Sequence, residues 1–170
     1  MSSQLAYLKR YALYLLGRRA HSRREMETKL QRKMTFAKKR ASLASDEVDA
    51  TLPEDLIKHV MEYLDSLQLL DDTTFAKSYA ESLATRGKSS RVIAGKLRQK
   101  GFASDLIKES ISTDSDQDAK ALADTLLSLK MRKPTLFTTR EGKMKGMRFL
   151  MNRGFAYADI CKALNEATDE

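Results

Sequence analysis

Leu70-Asp71-Asp72-Thr-Thr-Phe75-Ala76-Lys-Ser-Tyr79-Ala80-Glu-Ser-Leu83-Ala-Thr-Arg86-Gly87-Lys88-Ser89-Ser90-Arg91-Val-Ile93-Ala-Gly95-Lys-Leu97-Arg98-Gln-Lys100-Gly101-Phe102 reads as two helices and the start of a third. Asp72 is placed to cap the first, accepting a backbone hydrogen bond from its exposed first turn. Phe75, Tyr79 and Leu83 recur every four residues, with Ala76 and Ala80 beside them, so one face is apolar. Gly87 stops that helix, because glycine enters the left-handed conformation without a side-chain clash. Ser89 or Ser90 caps the next helix, whose buried stripe is Ile93 and Leu97 and whose end is Gly101. At about 100° per residue, Lys88, Arg91 and Arg98 fall together near Gly95 on the opposite side. One short helix thus carries an apolar face and a basic face free of acids.

Outward from this stretch, the 170 residues include only two prolines and seven glycines, and 42% are hydrophobic. Abundant Leu, Ala, Lys, Arg and Glu with so few breakers predict an all-helical protein with a buried core. No run of about 18 apolar residues exists, so no membrane span is expected. The first residues show no apolar core with a cleavage site, and no secretory leader is expected. Cys161 is the single cysteine, which excludes an internal disulfide and fits a reducing cytosol.

The formal net charge is +8, which points to a polyanionic or acidic partner. Its distribution says more. Residues 9–40 carry twelve Lys/Arg against two acids, and residues 46–81 carry two against ten. Residues 86–100 then carry six and none, and residues 130–153 eight and one. Basic and acidic blocks alternate along the chain.

Before the central stretch, an amphipathic helix is expected over 5–18, with Leu5, Leu8, Ala12, Leu15 and Leu16 on one side. Ser22-Arg-Arg-Glu25 has capping-box spacing and opens a helix to about Met34. Residues 35–52 read as a mobile loop with some helical tendency. Pro53 suits the first position of the next helix, where a missing amide costs nothing. After the central stretch, a helix starts at Ser104. Residues 113–118 form a polar break, and a helix over 117–131 carries Leu122, Leu126, Leu127 and Leu129. Pro134 opens a loop. A basic helix with an apolar stripe of Met144, Met147, Leu150 and Met151 ends at Gly154, and a last helix covers 156–167.

The chain also resembles itself. Lys100-Gly-Phe-Ala with Ile107 and Ile111 superposes on Arg153-Gly-Phe-Ala with Ile160 and Leu164. His21-Ser22, Arg24, Met26 and Lys29-Leu30 match Lys88-Ser89, Arg91, Ile93 and Lys96-Leu97. These matches predict three tandem three-helix modules, 1–68 (with an insertion at about 35–52), 69–114 and 115–170. In each the middle helix is the basic one. Neighbour-to-neighbour packing in such repeats predicts an elongated, curved array.

Catalytic constellations fail on inspection. Gly87-Lys88-Ser89 imitates the end of a phosphate-binding loop, but position 82 is serine where that loop needs glycine, and a helix precedes it in place of a strand. His21 and His59 are the only histidines, and no zinc pattern links them to Cys161. Asp71-Asp72 reads as a helix cap before it reads as a cation site. The eight methionines at helical spacing read as core. No enzyme, metal or cofactor is expected. A tight glycine turn between the second and third helices of each module also resembles a helix-turn-helix, so the alternative reading is a stand-alone nucleic-acid-binding protein.

The same residues resemble the RecX family, regulators of the RecA recombinase. The resemblance runs through Leu70-Asp71-Asp72-x-x-Phe75-Ala76-x-x-Tyr79, Arg86-Gly87, and Arg91-Val92-x-x-x-Leu97-x-x-Lys100-Gly101. It continues through His21-Ser22-x-x-Glu25-x-x-x-Lys29-Leu30 and Arg148-Phe149-Leu150-x-x-Arg153-Gly154-Phe155-x-x-x-x-Ile160. The chain departs from the family after Gly87, where Lys88-Ser89-Ser90 replaces an aromatic-Gly-Pro run.

The resemblance implies a cytoplasmic, non-enzymatic, monomeric protein with no membrane or small-molecule partner. It implies binding to the RecA filament on single-stranded DNA, either by blocking filament extension or by lodging in the filament groove. ATP hydrolysis and strand exchange would be suppressed, and with them recombination and the SOS DNA-repair response modulated. The basic residues expected to touch filament or DNA are Arg24, Lys88, Arg91, Arg98, Lys143, Lys145 and Arg148. Asp71, Asp72, Phe75, Tyr79, Gly101, Phe102, Gly154 and Phe155 are expected to be structural.

Overall fold

The computed structural model describes residues 2–42, 55–111 and 115–166. Among them the regular elements are all helical: α1 (Ser2–Arg18), α2 (Arg23–Ser42), α3 (Asp55–Ser66), α4 (Asp72–Thr85), α5 (Ser90–Gln99), α6 (Ser104–Ser110), α7 (Ser115–Arg132), a 3-10 turn (Pro134–Phe137), α8 (Arg140–Asn152) and α9 (Tyr157–Glu166). By packing, the chain divides into two units. One runs to Phe75 and includes Lys100–Phe102; the other comprises Ala76–Gln99 and the chain from Ala103 onward.

In the first unit, α1, α2 and α3 close one core. Leu8 and Ala12 come from α1, Met26, Leu30 and Met34 from α2, and Leu56, Val60, Met61 and Leu64 from α3. The four-residue spacing of the α2 set keeps it on one face of a 3.6-residue helix. That helix continues to Ser42, past the expected end near Met34. Its added turns carry no strong breaker, so propagation costs little once the first turns are packed. Residues 43–52 of the expected loop, and Pro53, lie outside the described residues.

In the second unit, Leu122, Leu126, Leu150, Phe155 and Ile160 form a core from α7, α8 and α9, with Phe137 and Met147 against its edge. Two expectations about its faces change. Met144 and Met151 are about half exposed, at 49% and 47%, whereas the buried positions of α8 are Gly142, Gly146 and Leu150. The glycines let the 3-10 turn lie against the helix. A Cβ at Gly142 would strike the Leu136 carbonyl, and one at Gly146 the Phe137 ring. Leu127 is likewise exposed, while Thr125 takes the buried position beside Leu126. Elsewhere α4 buries Ala76, Ala80 and Leu83 and leaves Phe75 and Tyr79 half-buried. The helix α5 buries Ile93 and Leu97 as expected.

Candidate functional site

The starts of α2 and α5 are held by groups distant in sequence. The hydroxyl of Ser22, just before α2, donates to the carbonyl of Lys100 and accepts from the N–H of Glu25 at 3.1 Å. The N–H of Arg23 donates to the Asp72 carboxylate at 2.9 Å. Before α5 the pattern recurs at repeat-related positions. The N–H of Ser89 donates to the carbonyl of Arg153 at 3.0 Å. Both the N–H and the hydroxyl of Ser90 donate to the Asp118 carboxylate. A negative charge at a helix N-terminus meets the free amides and the positive end of the helix dipole.

The caps therefore differ from those expected. Asp71, not Asp72, caps α4, accepting from the N–H of Thr74 at 3.0 Å and its hydroxyl at 2.6 Å. Asp71 stands one residue before the helix, the position from which a short carboxylate reaches the third amide. Asp72, inside the helix, is released to reach Arg23. Only the serine half of the Ser22–Glu25 capping box forms. The Glu25 carboxylate turns to Arg19, at 3.1 and 3.3 Å, and to Lys100, at 3.2 and 3.3 Å. Burial pushes the Glu25 carboxyl up, but these hydrogen bonds outweigh it and hold it below its usual range.

The glycines and aromatics complete each junction. Gly101 and Gly154 have φ of 83° and 98°, the left-handed region open to glycine. A Cβ at Gly101 would meet the Arg24 side chain, and one at Gly154 would meet Ser89 and Val92. Phe75 meets Phe102 edge-on at 5.5 Å, beneath the Lys100 ammonium. Tyr79 is half-buried, and Phe102 and Phe155 are buried. These glycines and rings make close internal contacts.

Arg91 and Arg98 are both exposed, at the two ends of α5. Seven residues apart, they share one side of the helix, opposite Ile93 and Leu97. Lys88 does not join their helical face, because α5 begins only at Ser90. Lys88 sits in the preceding turn, its N–H donating to the Leu83 carbonyl at 3.1 Å. The residue as a whole is half-buried, and burial first, then Arg153 and Lys96, lower its pKa. Arg24 lies on α2 in the first unit, exposed, its stem against Gly101. Lys143, Lys145 and Arg148 are all exposed on α8. At 100° per residue they spread around its outer surface and do not make one stripe.

A basic feature outside this set lies in the second unit. A cleft of about 740 Å³ runs between the end of α4, α7 and α8, lined by Arg86, Lys120, Arg132 and Arg153 with Asp124 as its one acid. Sequence spacing does not reveal it, since these residues come from α7 and from the turns that follow α4 and α8. Among the described residues no group of three or more His, Cys, Asp or Glu is placed to hold a metal ion. Nor is any helix there long and apolar enough to cross a membrane.

Comparison with known proteins agrees with this architecture. Residues 71–111 match the family model described as RecX, second three-helix domain. The regulatory protein RecX of Serratia proteamaculans is 31% identical over 157 residues, covering 88% of this chain and 90% of that protein. The RecX of Prosthecochloris aestuarii is 32% identical, covering 91% and 89%. The crystal structure of RecX from Lactobacillus salivarius superposes with a TM-score of 0.66 over 98% of this chain and 97% of that one, at 22% identity, a likeness of fold.

Proposed function

The chain belongs to the RecX family of regulatory proteins, and from that premise we propose that it binds the RecA filament on single-stranded DNA and inhibits it. Inhibition would fall on ATP hydrolysis, filament extension and strand exchange, and through them on recombination and the SOS response. The observation that carries this reading is α5. It holds Arg91 and Arg98 exposed on one side, contains no acid, and lies inside the stretch matched by the family model. Such a face can meet acidic protein surface or DNA phosphate, and phosphate contact makes binding salt-dependent.

On the same reading the chain works as three three-helix modules, 1–68, 69–114 and 115–170. It acts as a cytoplasmic monomer and has no enzymatic activity of its own. Arg24, Lys143, Lys145 and Arg148 supply further contacts from the flanking modules.

The test is the ATPase rate of RecA on single-stranded DNA while this protein is titrated in at two salt concentrations. Inhibition well below one molecule per RecA supports blocking of filament ends. Inhibition only near saturation supports occupancy of the filament groove. An unchanged rate, with RecA active and this chain folded, rejects the reading. Sequence-specific duplex binding without RecA would then favour the helix-turn-helix alternative.

A further inference from the structure

We infer that the cleft along α7 is a binding site for a single-stranded nucleic acid, taking its phosphate backbone and at least one unstacked base. This deepens the reading above by assigning the DNA contact to residues outside the α5 face.

The cleft is built by backbone. Gly87, at φ 68°, brings the end of α4 against α7, where a Cβ would strike the buried Thr125 hydroxyl. Arg153 closes the wall. Its Nη1 donates to the carbonyls of Arg86 and Gly87, and its guanidinium lies 4.5 Å from the centre of the Phe149 ring.

Charge selects an anion. Four cations face one carboxylate, that of Asp124, and Arg86, Lys120 and Arg132 make no ion pair among the described residues. A cleft of the same 740 Å³ in the first unit makes the contrast. It is lined by Arg23 and Lys58 against Glu27, Glu62 and Asp65, and its Arg23 is already paired with Asp65.

Shape selects a polymer. Lys120 and Arg132 stand twelve residues apart on one helix, about 18 Å at 1.5 Å per residue. A single phosphate group cannot span them, whereas a strand with repeated charges can. Ser128 lies between them and Gln117 one turn before Lys120, exposed neutral hydrogen-bonding groups of the kind that contact phosphate oxygens.

The exposed Phe149 ring beside Arg153 distinguishes nucleic acid from an acidic peptide. Carboxylates would use the cations but gain nothing from an aromatic face. A base gains stacking there, and only a single strand offers it an unpaired base.

The experiment is fluorescence anisotropy of the full chain with a labelled oligothymidylate of about 15 nucleotides, at several salt concentrations. Two variants remove equal charge: Lys120→Gln with Arg132→Gln, and, as a control at exposed cations outside the cleft, Arg10→Gln with Lys58→Gln. The cleft pair is expected to weaken binding about tenfold and flatten the log–log salt slope by about 1.4, two single-strand phosphate contacts. The control pair is expected to change affinity less than about twofold. Phe149→Leu, which keeps an apolar side chain but removes the ring, is expected to weaken binding about fivefold, the lower end for one stacked base. Unchanged binding by the cleft pair overturns the inference. So does an equal loss in both pairs, or displacement of the oligonucleotide by polyglutamate as readily as by unlabelled strand. Helicity and melting of each variant confirm that folded proteins are compared. The assay contains no RecA, so its failure leaves the filament reading to the ATPase titration.

Discussion

The Asp118 carboxylate accepts two hydrogen bonds from Ser90, one from its N–H and one from its hydroxyl, each at 2.9 Å across 28 residues. Asp72 does the same for the N–H of Arg23 across 49. A helix start that carries exposed arginines is thus held by an acid from the opening turn of a later helix. Asp118→Ala is expected to lower unfolding stability by about 1 kcal/mol, the usual worth of an N-cap, in urea titration. Asp118→Asn, which keeps an acceptor, should lose less. Equal stability of the alanine variant and the parent would remove Asp118 from this role.

The two repeat-related serines should respond differently. The Ser22 hydroxyl is fully buried and makes two hydrogen bonds, to Lys100 and from Glu25. The Ser89 hydroxyl is buried with no hydrogen-bond partner among the described residues. Ser22→Ala is expected to cost about 1–2 kcal/mol, since it removes a cap and the hydrogen bond to the Lys100 carbonyl. Ser89→Ala is expected to be neutral or slightly stabilising, because burying an unpaired hydroxyl is itself unfavourable. Thermal melts of both variants under one buffer decide it.

Gly101 and Gly95 make a matched pair of opposite sign. Gly101→Ala forces a side chain into φ 83° against Arg24, and a loss of about 1–3 kcal/mol is expected. Gly95 lies inside α5 with nothing within 4 Å of an added Cβ. Gly95→Ala is therefore expected to stabilise by about 0.5–1 kcal/mol through helix propensity. Chemical denaturation midpoints give both signs in one experiment.

His21 should make stability depend on pH near neutrality. It is 5% exposed, with its Nδ1 2.9 Å from the Arg19 carbonyl. Burial lowers its pKa below 6.5; the Arg19 carbonyl and Glu25 oppose this, while the Arg19 and Lys29 charges add to it. The unfolded chain then binds a proton more readily than the folded one. Stability is full above about pH 6.5 and falls as pH drops through the lowered value. Glu25, held below its usual range, stays charged until more acid conditions. The melting temperature is expected to fall between pH 7.5 and pH 5, and by less in His21→Gln. A parallel fall in both proteins would place the titration elsewhere.

Arg91→Glu with Arg98→Glu should weaken inhibition of the RecA ATPase by about tenfold or more while leaving helicity intact, since both side chains are exposed and opposite the core of α5. Undiminished inhibition at equal helicity would reject the α5 face.

Much of the protein follows from local chemistry. Four-residue spacing of Met26, Leu30 and Met34, glycine at 87, 101 and 154, and serine or aspartate before helices all act within a few residues. Those signals place the helices and identify Arg91 and Arg98 as exposed partners on α5. They misplace what depends on packing. Lys88 lies just outside α5, so helical periodicity does not govern its direction. The methionines of α8 yield the inner face to Gly142 and Gly146, because close approach of the 3-10 turn needs hydrogens where side chains would stand.

The sequence alone determined the all-helical fold, the alternation of charge and the family, because each rests on residue identity at fixed spacing. Tertiary structure decided that Asp118 serves Ser90, that Ser22 reaches Lys100, and that Arg86, Lys120, Arg132 and Arg153 line one cleft. Those partners lie 28 to 78 residues apart or come from α7 and the turns that follow α4 and α8. Periodicity along one helix carries no information about which face of another it will meet, and only the packed cores set that.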